Sequence, residues 1–530
     1  MKRKPAAPVF KPYVMNQVAL IPASYEEMIP ANHLVRVVNE AVEKIDMSPL
    51  LGQYKGGGTS SYHPMMMLKV MVYAYAERIY SSRRIAKALR ENIYFMWISG
   101  ENRPDFRTIN EFRSSRMKPV IDEVFSAVLE YLVDKGQVKL ENYFLDGSKI
   151  EADANKHKVV WAKRRANYHK RVQEQIQELL KQIEQANVDE QEEYGDEDLE
   201  EMGGKGEQDV NSEKLKKKIE ELNQKLRQRN QPKKDTQAER KALKKLEEDC
   251  LVRLEKYEQQ AETLAGRGSY SKTDPDASCM RMKEDRGAEK AWPKPAYNVQ
   301  NGTEGQFIVG FSVHGRPGDT ACLIPHLEGR RTHLGRLPKN IVTDAGYGSE
   351  ENYAYLEQHN LGNFAKYNTF YQDTHTYRKP ELIRNHQFRA ENFTYDPQKD
   401  EFICPNQQRL YFQYVSRYTT ENGYVSDRRN YECKTCEQCP LRVQCTKAKG
   451  NRKIRISFRL LEYRRQARAN LTSEVGQRLR ANRSTEVETV FGNIKHNMGF
   501  RRFHLRGMAK VKTEWGIVSI AHNMRKLAAI

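Results

Sequence analysis

Apolar residues near the N-terminus recur every three or four positions, which is the spacing of an amphipathic helix. One such run is Leu34, Val37, Val38, Ala41 and Val42. Pro64 suits the first turn of a following helix, and Ser81 can cap a shorter one after it. Thr108 and Glu111 form a capping-box pattern that predicts a further helix start. Segment 1–136 is therefore predicted to be a helical DNA-binding domain, although its helix-turn-helix pattern is as typical of plain packing as of DNA recognition.

Two short apolar runs of strand character each lead into an aspartate. Residues 143–145 precede Asp146, and residues 341–343 precede Asp344. Between them, residues 297–300 and 307–313 predict a hairpin whose turn signals are Asn301-Gly302 and Glu304-Gly305. The pattern predicts a mixed α/β core with a carboxylate at the end of each of two strands.

Two inserted segments interrupt this core. The first, 157–269, has apolar residues in a four-three-four spacing that predicts a coiled-coil or helical hairpin insertion. Its apolar positions are Val172, Ile176, Leu179 and Ile183, then Leu215, Ile219, Leu222 and Leu226, and finally Leu243, Leu246, Cys250 and Tyr257. The second, 369–455, carries five of the eight cysteines.

The clustered cysteines have the short spacing of a tetrahedral thiolate site. They are Cys404, Cys433, Cys436, Cys439 and Cys445. We predict a structural Zn²⁺ on Cys404, Cys436, Cys439 and Cys445, with Cys433 as the spare fifth. An iron–sulfur cluster and unmetallated thiols remain alternatives, because the last gap is longer than in the ferredoxin pattern.

The charge of the chain points to a polyanionic partner. The formal net charge is +19 and the mean hydropathy is −0.83. Nucleic acid is the first candidate, because Lys and Arg that neutralise phosphates release condensed counterions and so gain affinity. The alternative is that the positive charge belongs only to a solvated surface without such a partner. No secretory signal or membrane span is recognisable, so we expect a cytoplasmic protein associated with the nucleoid.

A third acid, Glu488, lies on a basic helical segment that carries Val490, Phe491, Ile494 and Met498. Converging Asp and Glu side chains suit Mg²⁺ or Mn²⁺, and two such ions can activate a nucleophile and stabilise the leaving oxygen in phosphodiester chemistry. Alone, Asp146 or Asp344 is more often a turn residue, and Glu488 more often a solvated one. The joint pattern predicts a two-metal site.

Four segments resemble bacterial insertion-sequence transposases of the DDE class, most closely the insertion sequence 1182 family within the insertion sequence 4/5-like superfamily. They are FLDGSKIEA (144–152), YNVQ (297–300), IVTDAGY (341–347) and VETVFGNIK (487–495). The resemblance implies a ribonuclease-H-like catalytic core with Asp146, Asp344 and Glu488 as catalytic, Mg²⁺-binding acids. It also implies DNA contacts by Lys495, Arg483, Arg501, Arg502 and Arg506.

One part of the family pattern is altered. The broader group carries Tyr-x2-Arg-x3-Glu-x6-Lys, and this chain has Ala481 at the tyrosine position and Ser484 at the arginine position, with Arg483 adjacent. This makes Glu486 a weaker rival to Glu488, since residues two apart point to nearly opposite faces of a helix.

The predicted architecture has four parts. They are a helical domain (1–136), a catalytic core (137–156, 270–368 and 456–530), a coiled-coil insertion (157–269) and a cysteine-rich insertion (369–455). The predicted function is recognition of terminal inverted repeats by a homodimer, followed by metal-dependent DNA cleavage and strand transfer into double-stranded target DNA. The alternatives are a nuclease of the same fold that does not join strands, and a domesticated protein that binds DNA ends without catalysis.

Overall fold

The computed structural model describes residues 24–54, 60–194, 210–228, 237–282, 284–285, 292–374 and 387–530. The chain divides into two compact units, one formed by residues 1–134 with 517–530 and the other by residues 135–516. Residues 1–23 of the predicted N-terminal domain lie outside the described ranges. Within those ranges, every helix is either too short or too polar to cross a lipid bilayer.

The first unit is helical in its described part. Its helices are Tyr25–Met28, Leu34–Lys44, Ser48–Leu51, Pro64–Ala76, Ser82–Glu91, Ile93–Ile98, Phe106–Glu111, the π-helical turn Phe112–Arg116, and Ile121–Asp134. Pro64 does occupy the first position of its helix, and the ring nitrogen Nδ1 of His63 caps it by accepting from the Met65 amide. The predicted capping box at Thr108 is wrong: Asp105 accepts from the Thr108 amide at 2.8 Å, so the helix begins earlier, at Phe106.

The second unit contains all the strands found in the described ranges. They are β1 (Asn142–Glu151), β2 (Val159–Trp161), β3 (Ser269–Ser271), β4 (Ser278–Met280), β5 (Lys294–Glu304), β6 (Phe307–His314), β7 (Asn340–Thr343), β8 (Gly362–Ala365), β9 (Thr394–Asp396), β10 (Glu401–Ile403), β11 (Arg409–Thr419), β12 (Val425–Cys433) and β13 (Lys453–Ile456).

Six of these strands form the central mixed sheet. Its order is β4-β5-β1-β7-β8, and β6 pairs with β5 on the same edge as β4. The pairs β4–β5, β5–β6 and β1–β5 are antiparallel, whereas β1–β7 and β7–β8 are parallel. The sheet therefore has an antiparallel half and a parallel half that meet at β1.

Two details of the sheet differ from the sequence prediction. β1 does not end at Asp146 but continues to Glu151, because residues 144–151 pair with β5 along their whole length. Asn301-Gly302 is strand and not turn, and the hairpin turns at Gly305 and Gln306, both of positive φ. Gly302 is needed for close approach, since a Cβ there would lie 1.8 Å from the ring of Tyr143.

Helices complete the second unit. They are Ala162–Tyr194, Ser212–Gln228, Gln237–Lys245, Val252–Leu264, Leu323–Leu334, Glu350–Gln358, Phe370–Thr374, Arg442–Cys445, Phe458–Thr472, Glu474–Arg483, Thr489–Gly492 and Met508–Leu527, the last of which ends in the first unit. Three π-helical turns, Leu246–Leu251, Ser484–Glu488 and Asn493–Asn497, and three 3₁₀ turns, Thr320–Cys322, Ala345–Tyr347 and Ala390–Asn392, join some of them.

The inserted segments form two separate cores. In the first, three helical segments share one apolar cluster, to which Val172, Leu215 and Leu246 contribute fully buried side chains. In the second, β13-β12-β11-β10-β9 form an antiparallel sheet packed around Phe402 and Tyr431. Each insertion thus buries its own apolar residues, as the periodicity of the sequence requires.

Candidate active site

The parallel pairing of β1 and β7 brings Asp146 and Asp344 to one place. Leu145 and Thr343 are the last pair in the register, and each is followed directly by an aspartate. Asp146 is buried because its strand continues against β5, while Asp344 is half-exposed because its strand has ended. The Asp344 carboxylate also caps the next turn by accepting from the Gly346 amide at 2.8 Å.

The guanidinium of Arg483 connects the three acids predicted from sequence. Its Nη2 atom lies 3.3 Å from Oδ1 of Asp146 and 3.9 Å from Oδ2 of Asp344. Its Nη1 atom donates to Oε1 of Glu488 at 3.1 Å. The Arg483 side chain is only 10% exposed, so a buried cation stands where three carboxylates meet.

The spacing between Arg483 and Glu488 depends on a π-helical turn. The helix Glu474–Arg483 runs directly into the π turn Ser484–Glu488, so Glu488 lies within a continuous helical stretch. A π turn closes hydrogen bonds from residue i to i+5 and brings residues five apart toward one face. An arginine five positions before the glutamate can therefore reach it, although the pattern Tyr-x2-Arg-x3-Glu-x6-Lys places the arginine four positions before the glutamate.

Glu486 has a different partner. One of its carboxylate oxygens accepts from the backbone amide of Gln306 at 2.8 Å, at the turn between β5 and β6. Gln306 has a positive φ of 62°, so this hydrogen bond holds a strained turn residue. Glu488, by contrast, contacts Arg483, which also contacts Asp146 and Asp344.

A buried polar network adjoins the two aspartates, and the sequence prediction did not single out its main acid, Asp319. Oδ1 of Asp319 accepts from Nδ2 of Asn298 at 2.7 Å and from Nε2 of Gln300 at 2.9 Å. The hydroxyl of Tyr347, on the turn after Asp344, donates to Gln300. An aspartate after Pro-Gly is a common turn signal, so the sequence offered no specific sign of this role.

The same network constrains the residue after Asp146. A Cβ at Gly147 would lie 2.3 Å from the Gln300 amide and 2.4 Å from Oδ1 of Asp319, so a larger residue there would displace the hydrogen bond between Asp319 and Gln300. Burial raises the pKa of Tyr347 well above its ordinary value, and the charges of Asp319, Asp146 and Asp344 add to the shift. Tyr347 therefore stays a neutral hydrogen-bond donor beside the acids.

The remaining predicted DNA-contacting residues lie apart from the Arg483 group. Lys495 is buried and its Nζ donates to Glu284 at 2.7 Å. Arg502 and Arg506 both pair with Asp153, at 3.0 and 2.9 Å, and each is about half-exposed. Arg501 is exposed and donates through Nε to the backbone oxygen of Lys495. The three arginines therefore present charge to solvent, whereas Lys495 is held inside the fold.

The five clustered cysteines come together around one small cavity. Cys404, Cys433, Cys436, Cys439 and Cys445 all line a space of about 20 Å³. The amide of Arg452 donates to the sulfur of Cys436, and the Asn406 side chain donates to the sulfur of Cys439, both at 3.4 Å. Burial raises the pKa of the Cys445 thiol.

Neither cluster is preformed as a metal centre. Among the described residues, no group of three or more His, Cys, Asp or Glu side chains is arranged to hold an ion. The chemistry of both donor sets nevertheless fits a metal: hard carboxylate oxygens suit Mg²⁺ or Mn²⁺, and thiolates suit Zn²⁺. At the carboxylates, the guanidinium of Arg483 provides the positive charge that balances the three acids.

Comparison with known proteins finds two matching families. A family model described as "Transposase DDE domain" matches residues 403–528, a range that includes Glu488 and all five clustered cysteines. A second model, described as "Transposase domain (DUF772)", matches residues 23–115. No curated protein matches the chain, and no solved structure does. Over these two segments the chain is similar to transposases, and both matches support an insertion-sequence transposase. The mixed α/β fold of the second unit is compatible with such a protein.

Proposed function

We propose that this protein is a DNA transposase that binds the terminal inverted repeats of an insertion sequence and catalyses metal-dependent cleavage and strand transfer. The observation that carries the proposal is the meeting of Asp146, Asp344 and Glu488 at Arg483. Acids distant in sequence gain nothing from lying together unless a cation balances their charge. A binding site for cations is therefore the simplest function of this arrangement.

The topology of the central sheet supports a ribonuclease-H-like core. Three antiparallel strands, β6-β5-β1, are extended by two parallel strands, β7 and β8. The first two acids directly follow Leu145 and Thr343, the last residues that pair β1 with β7. The third acid comes from a late helical stretch, as the resemblance to DDE transposases implies. The division into a helical domain, a core and two insertions is proposed on the same ground.

Asp146, Asp344 and Glu488 would hold Mg²⁺ or Mn²⁺, two ions in the reaction that the resemblance implies. When bound, such ions polarise the phosphodiester and lower the pKa of the attacking water or 3′-hydroxyl. Asp146 supplies the fixed carboxylate, since it is buried between two neighbouring strands. Glu488 supplies the adjustable one, since its side chain is 55% exposed.

Arg483 has two successive roles in this proposal. Without metal it neutralises the three acids and keeps them together. Arginine also binds phosphate through two parallel N–H groups, so Arg483 would be free to contact a DNA phosphate if metal ions balanced the three acids. Arg501, Arg502 and Arg506 then contact the DNA backbone from the exposed surface, and Lys495 does so only after it leaves Glu284.

The partners proposed are double-stranded transposon ends and target DNA, with a second copy of the chain completing a homodimer. The charge of +19 supplies sequence-independent attraction for both DNA segments.

For the cysteine insertion, zinc bound by Cys404, Cys436, Cys439 and Cys445 remains our proposal, with Cys433 as the spare thiol. The support is that all five sulfurs line one cavity, and that N–H groups already point at two of them. The proposed role is structural: the ion would fasten the loops around β10 and β12.

The test uses purified wild-type and Glu488→Gln protein with a labelled duplex that carries the ends flanking the gene. Cleavage and joining to a target plasmid are followed with Mg²⁺ or with EDTA. We expect only the wild type to cut and join, and only with the metal. Cutting without joining would favour the nuclease alternative, and binding by both proteins without cutting, under several metals, would favour the non-catalytic DNA-end-binding alternative.

A further inference from the structure

A groove of about 690 Å³ lies between the turn that follows Asp344 and the hairpin formed by β11 and β12. We call it the hairpin groove, and its walls include Arg316, Gly348, Glu350, Tyr418, Arg428 and Arg455. All of these residues belong to the second unit. A groove of this volume is of the size that binds ligands in proteins.

Three arginines line the hairpin groove, together with the acids Glu350, Glu351 and Glu421. Among the described residues, Arg428 and Arg455 have no acidic partner within 4.0 Å, and Arg316 pairs only with the exposed Glu421, at 2.9 Å. Of the other two acids, Glu350 accepts from the hydroxyls of Tyr424, Ser426 and Ser457, and Glu351 is buried. Arg428 and Arg455 therefore remain available for an anionic ligand.

Aromatic rings accompany these charges. The guanidinium carbon of Arg428 lies 3.9 Å from the ring centroid of Tyr418, whose side chain is 47% exposed. Tyr414, four residues earlier on the same strand, is 59% exposed and lies on the same face. Exposed tyrosines beside arginines are the arrangement on which proteins stack the bases of single-stranded nucleic acid.

The charge of the part of the insertion that carries the hairpin agrees with an anionic ligand. Residues 403–455 contain eleven Lys and Arg against four Asp and Glu. Most of β11 is exposed on both faces beyond Leu410, so its apolar rings are not used to build the core of the insertion. A strand with exposed rings and basic neighbours is better explained by a ligand than by folding.

The hairpin groove adjoins the turn that follows Asp344. Thr320 lines the groove, and its hydroxyl donates at 2.6 Å to the backbone oxygen of Gly346, two residues after Asp344. Gly348 and Ser349 from the same turn also line it. A DNA strand whose phosphodiester lay at the three acids could therefore continue into the groove without leaving the protein surface.

We infer that the hairpin groove binds a single DNA strand next to the cleaved phosphodiester, with Arg316, Arg428 and Arg455 on its phosphates and Tyr418 against a base. The inference rests on the proposed function, since it assigns to the groove a part of the same DNA substrate. A second copy of the chain is the competing occupant. The excess of eleven Lys and Arg over four Asp and Glu in residues 403–455 favours DNA, because protein interfaces are depleted of charge at their centres.

The test is photocross-linking with a single-stranded oligonucleotide that carries 5-iododeoxyuridine, performed in EDTA so that catalysis plays no part. We expect a cross-linked peptide that contains Tyr418 or Tyr424. Tyr418→Ala should weaken binding of the strand about tenfold or more, because a stacked base is lost, whereas Tyr418→Phe keeps the ring and should bind as wild type.

Matched charge variants complete the test. Arg428→Ala and Arg455→Ala remove groove charges, and each should lower the slope of log affinity against log salt by roughly 0.7. Arg417→Ala removes the same charge from the opposite face of the hairpin, where the side chain is 82% exposed, and should leave cross-linking unchanged.

Cross-links that map elsewhere, or equal binding by Tyr418→Ala and wild type, would overturn the inference. So would a groove variant that changes the sedimentation coefficient but not the cross-link, since the groove would then be a protein interface. A wild type that cuts transposon ends while the groove binds no strand refutes this inference alone. Groove binding by a protein that cuts nothing refutes the proposed function alone.

Discussion

The Nη2 atom of Arg483 lies 3.3 Å from Oδ1 of Asp146, and both side chains are nearly buried. A buried ion pair is costly to break, because the remaining charge loses its partner without regaining water. This pair links the helical stretch that carries Glu488 to the strand at the centre of the sheet.

Loss of Arg483 should therefore destabilise the metal-free protein. Arg483→Gln leaves Asp146 without this cation, and we expect a loss of about 3 kcal/mol in the free energy of unfolding of the core. Thermal unfolding in EDTA measures it, and added Mg²⁺ should recover part of the loss in the variant. Arg478→Gln, on the exposed face of the same helix, is the control. Equal melting of Arg483→Gln and wild type in EDTA would contradict the role of the pair.

The two glutamates of the π turn should behave differently. Glu488→Gln removes a charge from the carboxylate group and should abolish cleavage of transposon-end DNA. Glu486→Gln keeps an acceptor for the Gln306 amide and should retain most of the activity, with a stability change of about 1 kcal/mol or less. Rates of end cleavage and melting temperatures of both variants test this. Activity in Glu488→Gln with loss in Glu486→Gln would reverse the assignment.

Asp319 should act through the groups it positions. Asp319→Ala removes the acceptor of Asn298 and Gln300 beside the acids and should lower the cleavage rate by about 10- to 100-fold, the size of effect seen when a group outside the metal ligands is lost. Asp319→Asn retains an oxygen acceptor and should recover much of the rate. Single-turnover kinetics over a range of Mn²⁺ concentrations separates weaker metal binding from slower chemistry. Equal rates for Asp319→Ala and wild type would remove Asp319 from the site.

His326 should make the stability of the core depend on pH. It is buried between the hydroxyls of Tyr143, at 2.6 Å, and Ser312, at 2.8 Å. Burial, together with the nearby charges of Arg330 and His314, holds the pKa of His326 well below its ordinary value. In the unfolded chain a histidine takes up a proton near pH 6.5, so the unfolded state binds more protons as the pH falls below that value.

Stability should therefore decrease as the pH falls from about 6.5, with a contribution from this histidine of roughly 1.4 kcal/mol per pH unit. His326→Gln does not titrate and should flatten the curve of melting temperature against pH. His157→Gln, at an exposed position, should leave the slope unchanged. A slope that His326→Gln does not alter would show that other groups cause the pH dependence.

Removal of one cysteine should test the zinc proposal directly. The purified protein should contain about one zinc per chain by elemental analysis, as a four-thiolate site requires. Cys436→Ser should release it and lower the melting temperature of the insertion, while Cys433→Ser should keep it. Protein that contains iron and absorbs visible light would favour the cluster alternative, and protein without either metal would leave the thiols unmetallated.

The sequence by itself determined the order of elements and the identity of the candidate acids. Periodicity located the helical N-terminal region, the inserted helices and the strands before Asp146 and Asp344, because burial of an apolar face fixes the spacing of apolar residues. It placed boundaries less well: Asp105 starts the helix assigned to Thr108, and β1 continues well past Asp146. Such limits depend on which neighbour supplies the next hydrogen bond.

Only the tertiary structure decided which residues meet. The register of β1 with β7 sets the two aspartates side by side. The π turn lets Arg483 reach Glu488, although Arg483 lies one position before the arginine of the pattern Tyr-x2-Arg-x3-Glu-x6-Lys. Asp319 joined the site through a loop whose sequence is that of an ordinary turn. Strand register and helical phase are set by packing between segments far apart in the chain, and local patterns carry no information about such distances.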